Sequence, residues 1–486
     1  MSQKNDVVFP QPPVFSIKNE RLENFHRFGT SSLLFAGLYI LCLYQNPHGI
    51  LYPIFMGGTL YLMKRMARIE KYTKMDWFYT LSLMVLSVFK CMFLSGPMQL
   101  ADTLAIGSLW IGYILHIYTD MVKWSIGQKI AALIKMTGQL IVRCMQPLFS
   151  LCSVFHTLNF NKKEIIFPIV IGLMTAFPLV AIILVLLTSA DAVFDSMVQS
   201  MVRLLFIPED IGNILQILLT FIAMYILFFD IHMVVQNVPK KQQEKRALYS
   251  SITAITTSSV LAVVYIAFSC IQFLYLFIGN MKLPDGYTYA QYVHEGFYEL
   301  LAVSIINLVL VLICKGIFKP SRILNGLLTI ICLCTGVMIA SSALRMSMYI
   351  QSYHLTFLRL FVLWFLFVLS IWIVLTTIHI YRSDFPLLRY GMIAITLCWI
   401  GFHLIRPEYQ IARYDLSHRQ DVPVYSDSMD AYLLHLSEDA VDAFDMNSAI
   451  GKEYARIHTY QPSSTLLQKI RTFNFSRAHA NRIFQK

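Results

Sequence analysis

Residues 355–380 read LTFLRLFVLWFLFVLSIWIVLTTIHI, a stretch in which Arg359 is the only Asp, Glu, Lys or Arg side chain. A helix needs roughly 20 apolar residues to cross the hydrocarbon core of a bilayer, because no water there satisfies its backbone amides. The stretch therefore predicts a transmembrane helix.

Similar apolar runs recur along the whole chain, and together they predict an all-α fold, a polytopic transmembrane helical bundle of about 11 spans. The second and fourth runs are short for a span, so the count could differ by one or two. The predicted spans are 28–45, 50–64, 76–95, 103–118, 165–188, 211–235, 250–278, 297–314, 323–344, 355–380 and 390–405.

Composition excludes an ordinary soluble protein. Of the 486 residues 57% are hydrophobic and 14% are charged, whereas a soluble domain carries roughly 25% charged residues. The net charge of +11 does not indicate nucleic-acid binding, because the basic residues lie in short clusters between apolar runs. We expect contact with the lipid bilayer and a membrane-protein partner, and no contact with nucleic acid.

The distribution of basic residues predicts the orientation. With a cytoplasmic N-terminus, the cytoplasmic segments hold 24 Lys and Arg, and the opposite short loops hold only Arg203, Lys282 and Arg345. Cytoplasmic loops of membrane proteins are enriched in Lys and Arg. We therefore predict a cell-membrane protein with a cytoplasmic N-terminus and an extracytoplasmic C-terminal tail.

This orientation divides the chain into three parts. Residues 1–27 form a cytoplasmic N-terminal segment, residues 28–405 the transmembrane domain, and residues 406–486 a small helical tail. Within the second part, 119–164 contains a basic amphipathic helix on the cytoplasmic side, and 190–206 reads as an interfacial helix on the outer leaflet. Ser189 is placed to cap the outer helix.

Ionisable groups inside spans are costly in hydrocarbon, so each is a candidate functional residue. Three of them are predicted near the outer ends of their spans, where Glu299 has a sign opposite to Arg359 and Lys90. We predict an outer polar pocket formed by Glu299, Arg359, Lys90 and Asp191. The alternative is that these side chains anchor the helices at the membrane interface.

Two further candidates follow from the same pattern. Asp230 and His232 lie near the inner end of the sixth span and form a candidate inner polar pair. The outer segment 283–300 is rich in aromatic residues, which favours either an interfacial aromatic belt or a binding surface. The candidate outer-loop surface consists of Tyr289, Tyr292, His294, Glu295 and Phe297.

Sequence motifs of common enzymes are absent. The chain has no phosphate-binding loop, no G-x-G-x-x-G, no H-E-x-x-H and no G-x-S-x-G. The nine cysteines show no metal-ligand spacing. We predict no catalytic residue, no cofactor and no metal.

Three separated motifs carry a family resemblance: TYAQYVHEGFYELLAVSIINL at 288–308, SADAVF at 189–194, and IARYDL followed by DAYLLHLSEDAV in the tail. In this order they resemble the bacterial membrane family called domain of unknown function 4173, which is related to 4153. The resemblance implies a multi-pass membrane protein whose family has no established activity.

Three functions remain open from the sequence. The first is a non-enzymatic envelope or signalling-accessory protein. The second is a transporter or permease for an unknown solute, favoured by the many spans and by Pro178 within the fifth of them. The third is an outer-face membrane transferase that acts on a lipid-linked substrate.

Overall fold

The described residues fold mainly into α-helices. The computed structural model describes residues 22–46, 49–119, 126–155, 172, 180, 183, 187–197, 209–237, 249–274, 289–418, 427–459, 469 and 471–485. The predicted fifth span, 165–188, lies almost wholly outside these residues.

The described helices are labelled α1 to α16 in chain order. They are α1 Thr30–Leu43, α2 Leu51–Ala67, α3 Lys74–Met92, α4 Gly96–Tyr118, α5 Ile126–Arg143, α6 Gln146–Phe155, α7 Glu209–Gln236, α8 Ser251–Gln272, α9 Tyr289–Ile317, α10 Arg322–Tyr353, α11 Phe357–Tyr381, α12 Leu387–Leu404, α13 Pro407–Ser417, α14 Asp427–Leu434, α15 Ala449–His458 and α16 Phe475–Phe484.

Within the described part of the chain, 8 helices are long and apolar enough to cross a bilayer. They are α3, α4 and α7 to α12. Helices α1 and α2 occupy predicted spans but have only 14 and 17 residues, short of the roughly 20 that a bilayer needs. The helical membrane-bundle fold is therefore confirmed, and a count of about 11 spans remains a prediction.

Helix α4 starts earlier than the sequence indicated, at Gly96 instead of residue 103. Pro97 lies in its first turn, where a proline has no hydrogen bond to lose. The early start places Asp102 inside the helix, where it is 0% exposed. Residues 96–102, which the predicted span 103–118 leaves out, form about the first two turns of this helix.

The helices enclose two hydrophobic cores. The first is formed by α1 to α4 and α7, and it also contains Trp399 and Phe402 of α12. The second is formed by α8 to α11 together with buried side chains of the tail, such as Leu433 and Tyr454. Helix α12 leads from the bundle into the tail, so its C-terminal end lies where the two cores and the tail meet.

The tail lies against one face of the bundle, on loops that each join two consecutive helices. Ile50 N–H donates to the carbonyl of Phe473 at 3.0 Å, and Asn46 donates to the carbonyl of Arg471. Two tail carboxylates also bind such loops, Asp439 the α3–α4 loop and Asp415 the α10–α11 loop.

The two predicted amphipathic segments are both helical where they are described. In α5, Met136 packs into the first core while Ile134 and Ile141 are 68% and 72% exposed. In the outer segment, Asp191 caps the helix that follows it, because its Oδ1 accepts from Val193 N at 2.7 Å. The cap is thus Asp191, whereas the sequence favoured Ser189.

Candidate functional site

A fully buried polar cluster joins α4 to α12. Asp102 Oδ2 lies 3.1 Å from His403 Nε2, and Trp399 Nε1 donates to Asp102 Oδ1 at 2.8 Å. Both side chains of the Asp102–His403 pair are 0% exposed. Trp399 and His403 share one face of α12 because residues four apart in a helix lie one above the other.

Aromatic rings enclose the imidazole of His403. Phe89 stacks on it with the ring centroids 4.7 Å apart and the planes 10° apart, and Phe93 meets it edge-on at 5.4 Å. Trp399 closes a third side at 5.0 Å. These contacts separate the pair from solvent, so its electrostatic interactions are screened much less than those of a surface pair.

Lys90 adds a cationic side chain to the same region. Its ammonium donates to Thr103 Oγ1 at 2.7 Å and lies 5.2 Å from the ring centroid of Tyr52. Lys90 is 3% exposed and interacts electrostatically with Asp102. A lysine buried at this depth is stabilised by a nearby carboxylate and by an aromatic face.

The tail covers this cluster from outside the spans. The carboxylate of Asp439 accepts from the backbone N–H of Leu94 at 2.9 Å and of Ser95 at 2.9 Å. These two amides occupy the α3–α4 loop and have no partner within a helix. A tail side chain therefore completes the hydrogen bonding of the α3–α4 loop, which connects the helices that carry Lys90 and Asp102.

A second tail carboxylate supports Asp439. Glu408 on α13 accepts from Ser437 N at 2.8 Å and from the Ser437 hydroxyl, which positions the short 3₁₀ helix that begins at Glu438. Burial raises the pKa of both Glu408 and Asp439, and this effect outweighs the hydrogen bonds that they accept. Arg406 holds the other side of this helix through Asp442, at 2.8 Å.

The residues of the predicted outer polar pocket lie apart. Lys90 belongs to the Asp102 cluster, and Arg359 donates to the carbonyl of Tyr353 at 2.6 Å and to that of His354. Glu299 is exposed on α9, and among the described ion pairs none joins it to Arg359 or Lys90. Asp191 is an exposed helix cap. A functional role for this set remains a prediction.

Asp230 and His232 of the predicted inner polar pair are both buried, at 3% and 0% exposure. They are two residues apart on α7 and so point in different directions. His232 Nδ1 lies 2.7 Å from the carbonyl of Phe228, and Asp230 interacts electrostatically with Arg143 of α5.

The predicted outer-loop surface lies at the start of α9, which begins at Tyr289. Phe297 is 1% exposed and belongs to the second core, which makes it a packing residue. The side chains of Tyr289, Tyr292, His294 and Glu295 lie outside the described residues. Within the described part of the chain, no cluster of three or more His, Cys, Asp or Glu could hold a metal ion.

Sequence reasoning missed Asp102, Asp439 and Glu408. His403 is a titratable residue inside the predicted span 390–405, but its partner lies 301 positions earlier, and no local pattern links the two. A local signal did exist, because Trp399 and His403 present two hydrogen-bonding groups four residues apart in an apolar helix. Such a face indicates a polar partner on a neighbouring helix.

Comparisons with known proteins agree with this description. Neither a curated protein nor a solved structure matches the chain. The family model described as "Domain of unknown function (DUF4153)" matches residues 51–447, which include every span that contributes to the Asp102 cluster and the part of the tail that covers it. The chain therefore belongs to the family Domain of unknown function (DUF4153).

Proposed function

We propose that this integral membrane protein is a non-enzymatic envelope protein, accessory to signalling, in which docking of the tail sets the state of the spans. The observation that carries the proposal is the position of Asp439. A buried carboxylate of the tail replaces the missing hydrogen-bond partners of a loop between two spans. Undocking the tail leaves these backbone amides unsatisfied, so tail and spans respond together.

A short chain of hydrogen bonds supports transmission from the tail into the bundle. Gln99, one turn below the loop, donates to the carbonyls of Lys90 at 2.9 Å and of Phe93. The carbonyl of Gln99 accepts from Thr103, which in turn accepts from Lys90. A shift of the α3–α4 loop therefore moves the groups that position Lys90 beside Asp102.

The proposal includes the predicted orientation, with a cytoplasmic N-terminus and the tail outside the cytoplasm. In that orientation the tail senses the envelope, through a ligand or a membrane-protein partner. The narrower assignment to domain of unknown function 4173 remains a prediction, as do the domain limits 1–27, 28–405 and 406–486.

The test compares two carboxylate substitutions in cells that lack their own copy of the protein. D439A removes the carboxylate that accepts from the loop amides, and the control E453A removes a carboxylate from a surface ion pair with Arg456, which contributes little to stability. We expect D439A to reproduce the transcript changes and dye permeability of the deletion strain, and E453A to restore the wild type. Full rescue by D439A at normal protein level would refute the role of tail docking.

Transport is a second candidate, because Lys90, Asp102 and His403 are charged or titratable groups buried within spans. Such groups mark ion pathways and proton relays in many membrane proteins. The test is current measurement on proteoliposomes against a panel of solutes and a proton gradient. A solute-dependent current that H403Q abolishes favours transport over the accessory role.

A further inference from the structure

The hydrogen bonds of His403 and Asp102 limit how protons are shared between the two side chains. Nδ1 lies 3.0 Å from the carbonyl oxygen of Trp399, and a carbonyl oxygen only accepts, so Nδ1 carries a proton. Nε2 faces a carboxylate oxygen of Asp102 at 3.1 Å. An ionised carboxylate also only accepts, and a ring nitrogen without a proton has nothing to donate to it.

The contact between Nε2 and Asp102 therefore needs one more proton. That proton lies either on Nε2, which makes His403 an imidazolium, or on Asp102, which makes it a carboxylic acid. We propose that Asp102 and His403 together form a buried proton-binding site, and that the bound proton joins α4 to α12. This inference goes beyond the proposed function and rests on the hydrogen-bond geometry alone.

The surroundings favour the imidazolium–carboxylate form. Trp399 Nε1 donates to Asp102 at 2.8 Å, and Lys90 and Tyr52 also interact electrostatically with this carboxylate. A donor and a nearby cation both stabilise the ionised carboxyl group. The elements packed around His403 face it with the aromatic rings of Phe89, Phe93 and Trp399.

Loss of the proton has a structural consequence. The lone pair of Nε2 then faces the Asp102 carboxylate, and the hydrogen bond between the first core and the last span becomes a repulsive contact. Arg406, three residues after His403, already bonds to the tail through Asp442. Proton release is therefore expected to loosen the outer end of α12 where the tail begins, and tail docking is expected to favour proton binding in return.

His232 provides an internal comparison. Its Nδ1 also lies near the carbonyl four residues earlier, at 2.7 Å. Its Nε2 has no hydrogen-bond partner among the described residues, so nothing requires a second proton on that ring. The two buried histidines should differ in charge although their backbone hydrogen bonds are alike.

The test is solid-state NMR of the full chain in lipid bilayers at neutral pH, with ¹⁵N-labelled histidine rings and ¹³C-labelled aspartate. We expect both ring nitrogens of His403 to be protonated and only one of His232. If the proton lies on Asp102 instead, infrared spectroscopy should show a carboxylic-acid band that is absent in D102N. D102N should also eliminate the imidazolium signal of His403.

The ¹⁵N signals of His403 and His232 are assigned by their loss in the H403Q and H232Q variants. If H403Q does not fold, the signal of the Asp102–His403 pair is assigned by exclusion. H116Q removes the His116–Asp76 contact at 3.5 Å, and D442N removes the His479–Asp442 contact at 2.7 Å. The ¹⁵N–¹³C cross-peak of the Asp102–His403 pair should remain in both variants. A neutral His403 ring, in a protein without a carboxylic-acid band sensitive to D102N, would overturn the proposal.

Discussion

At the scale of single residues, several charged side chains in the described part of the chain have backbone groups as their hydrogen-bond partners. Asp439 and Asp415 accept from loop amides, and Arg359 donates to two carbonyls. Composition alone does not reveal this pattern, because a backbone partner leaves no mark in the sequence. The sequence therefore predicted a partner for Glu299 from its negative charge and its depth in the span, whereas it gave no indication of a role for Asp439.

Trp399 tests how much the buried carboxylate depends on its donors. Replacing Trp399 with Phe removes the N–H that donates to Asp102 at 2.8 Å. We expect a loss of about 1.5–3 kcal/mol in the free energy of unfolding, the range for hydrogen bonds to charged groups. Unfolding in mixed micelles with increasing SDS measures it.

The matched control is Trp364→Phe, which makes the same change in the neighbouring aromatic cluster but removes a bond to the neutral carbonyl of Cys398 at 3.0 Å. Its expected cost is about 0.5–1.5 kcal/mol. Equal losses in both variants would mean that the bond to Asp102 stabilises the protein no more than a bond to a neutral carbonyl does.

Asp415 predicts a pH dependence of the tail. Burial raises its pKa to about 6, against the opposing effects of the Leu355 N–H and the Arg359 charge. A carboxyl with a raised folded-state pKa gives stability that is present below its unfolded pKa of about 4 and is lost as the pH rises through about 6. The protein should therefore be more stable at pH 5 than at pH 7.5 as far as this group is concerned.

The substitution that isolates this contribution is Asp415→Asn, whose amide oxygen still accepts from Leu355 N–H. Between pH 5 and pH 7.5 the wild type should lose about 1.4 kcal/mol more than D415N, because roughly 1.4 kcal/mol corresponds to each pKa unit and pH 5 lies about one unit below the folded-state pKa. Thermal unfolding at both pH values gives this double difference, in which the other titrating groups cancel. Parallel pH profiles would contradict the assignment.

At the scale of elements, hydropathy located helices well and their ends less well. Ten predicted spans coincide with described helices, because the requirement for about 20 apolar residues is strong and local. The start of α4 was misplaced because Pro97 and Asp102 resemble a loop, and α10 extends to Tyr353, past the predicted end at 344. Helix ends depend on caps and tertiary partners, which hydropathy does not detect.

Attachment of α16 depends on a short segment that precedes it. Arg471 donates to the carbonyl of Tyr44 at 2.7 Å, and the Phe473 carbonyl accepts from Ile50. Replacing Arg471 with Ala removes a charged hydrogen bond, so we expect protease to release the C-terminal helix several-fold faster. The control is Arg482→Ala, which changes an exposed arginine of α16 itself, and equal rates in the two variants would show that Arg471 does not hold the segment.

At the scale of the whole molecule, the sequence predicted a bundle with a helical tail but not how the parts meet. The two cores and the tail converge at the C-terminal end of α12, where Trp399, Phe402 and His403 contact elements from distant parts of the chain. Contacts over such separations follow from the packing of helices, and a single sequence contains no record of them. The candidate site is therefore a product of tertiary structure.

Orientation is the property of the whole molecule on which the proposed function most depends. The tail binds directly to loop residues Ile50, Leu94 and Leu355, so these loops lie on the same face as the tail. The α11–α12 loop follows after one further span and therefore lies on the opposite face. A cysteine at Ser428 of α14 and one at Ser383 of the α11–α12 loop should therefore differ in accessibility. The parent is Cys270→Ser, because Cys270 is an exposed thiol.

With the tail outside the cytoplasm, a membrane-impermeant maleimide labels S428C in intact cells, and labels S383C only after the membrane is permeabilised. The basic residues predict this result, because they are concentrated on the face opposite the tail. The reverse pattern would place the tail in the cytoplasm, and the tail would then respond to a cytoplasmic signal. Labelling of both positions in intact cells would mean that the loop and the tail share one side, which an odd number of spans between them does not allow.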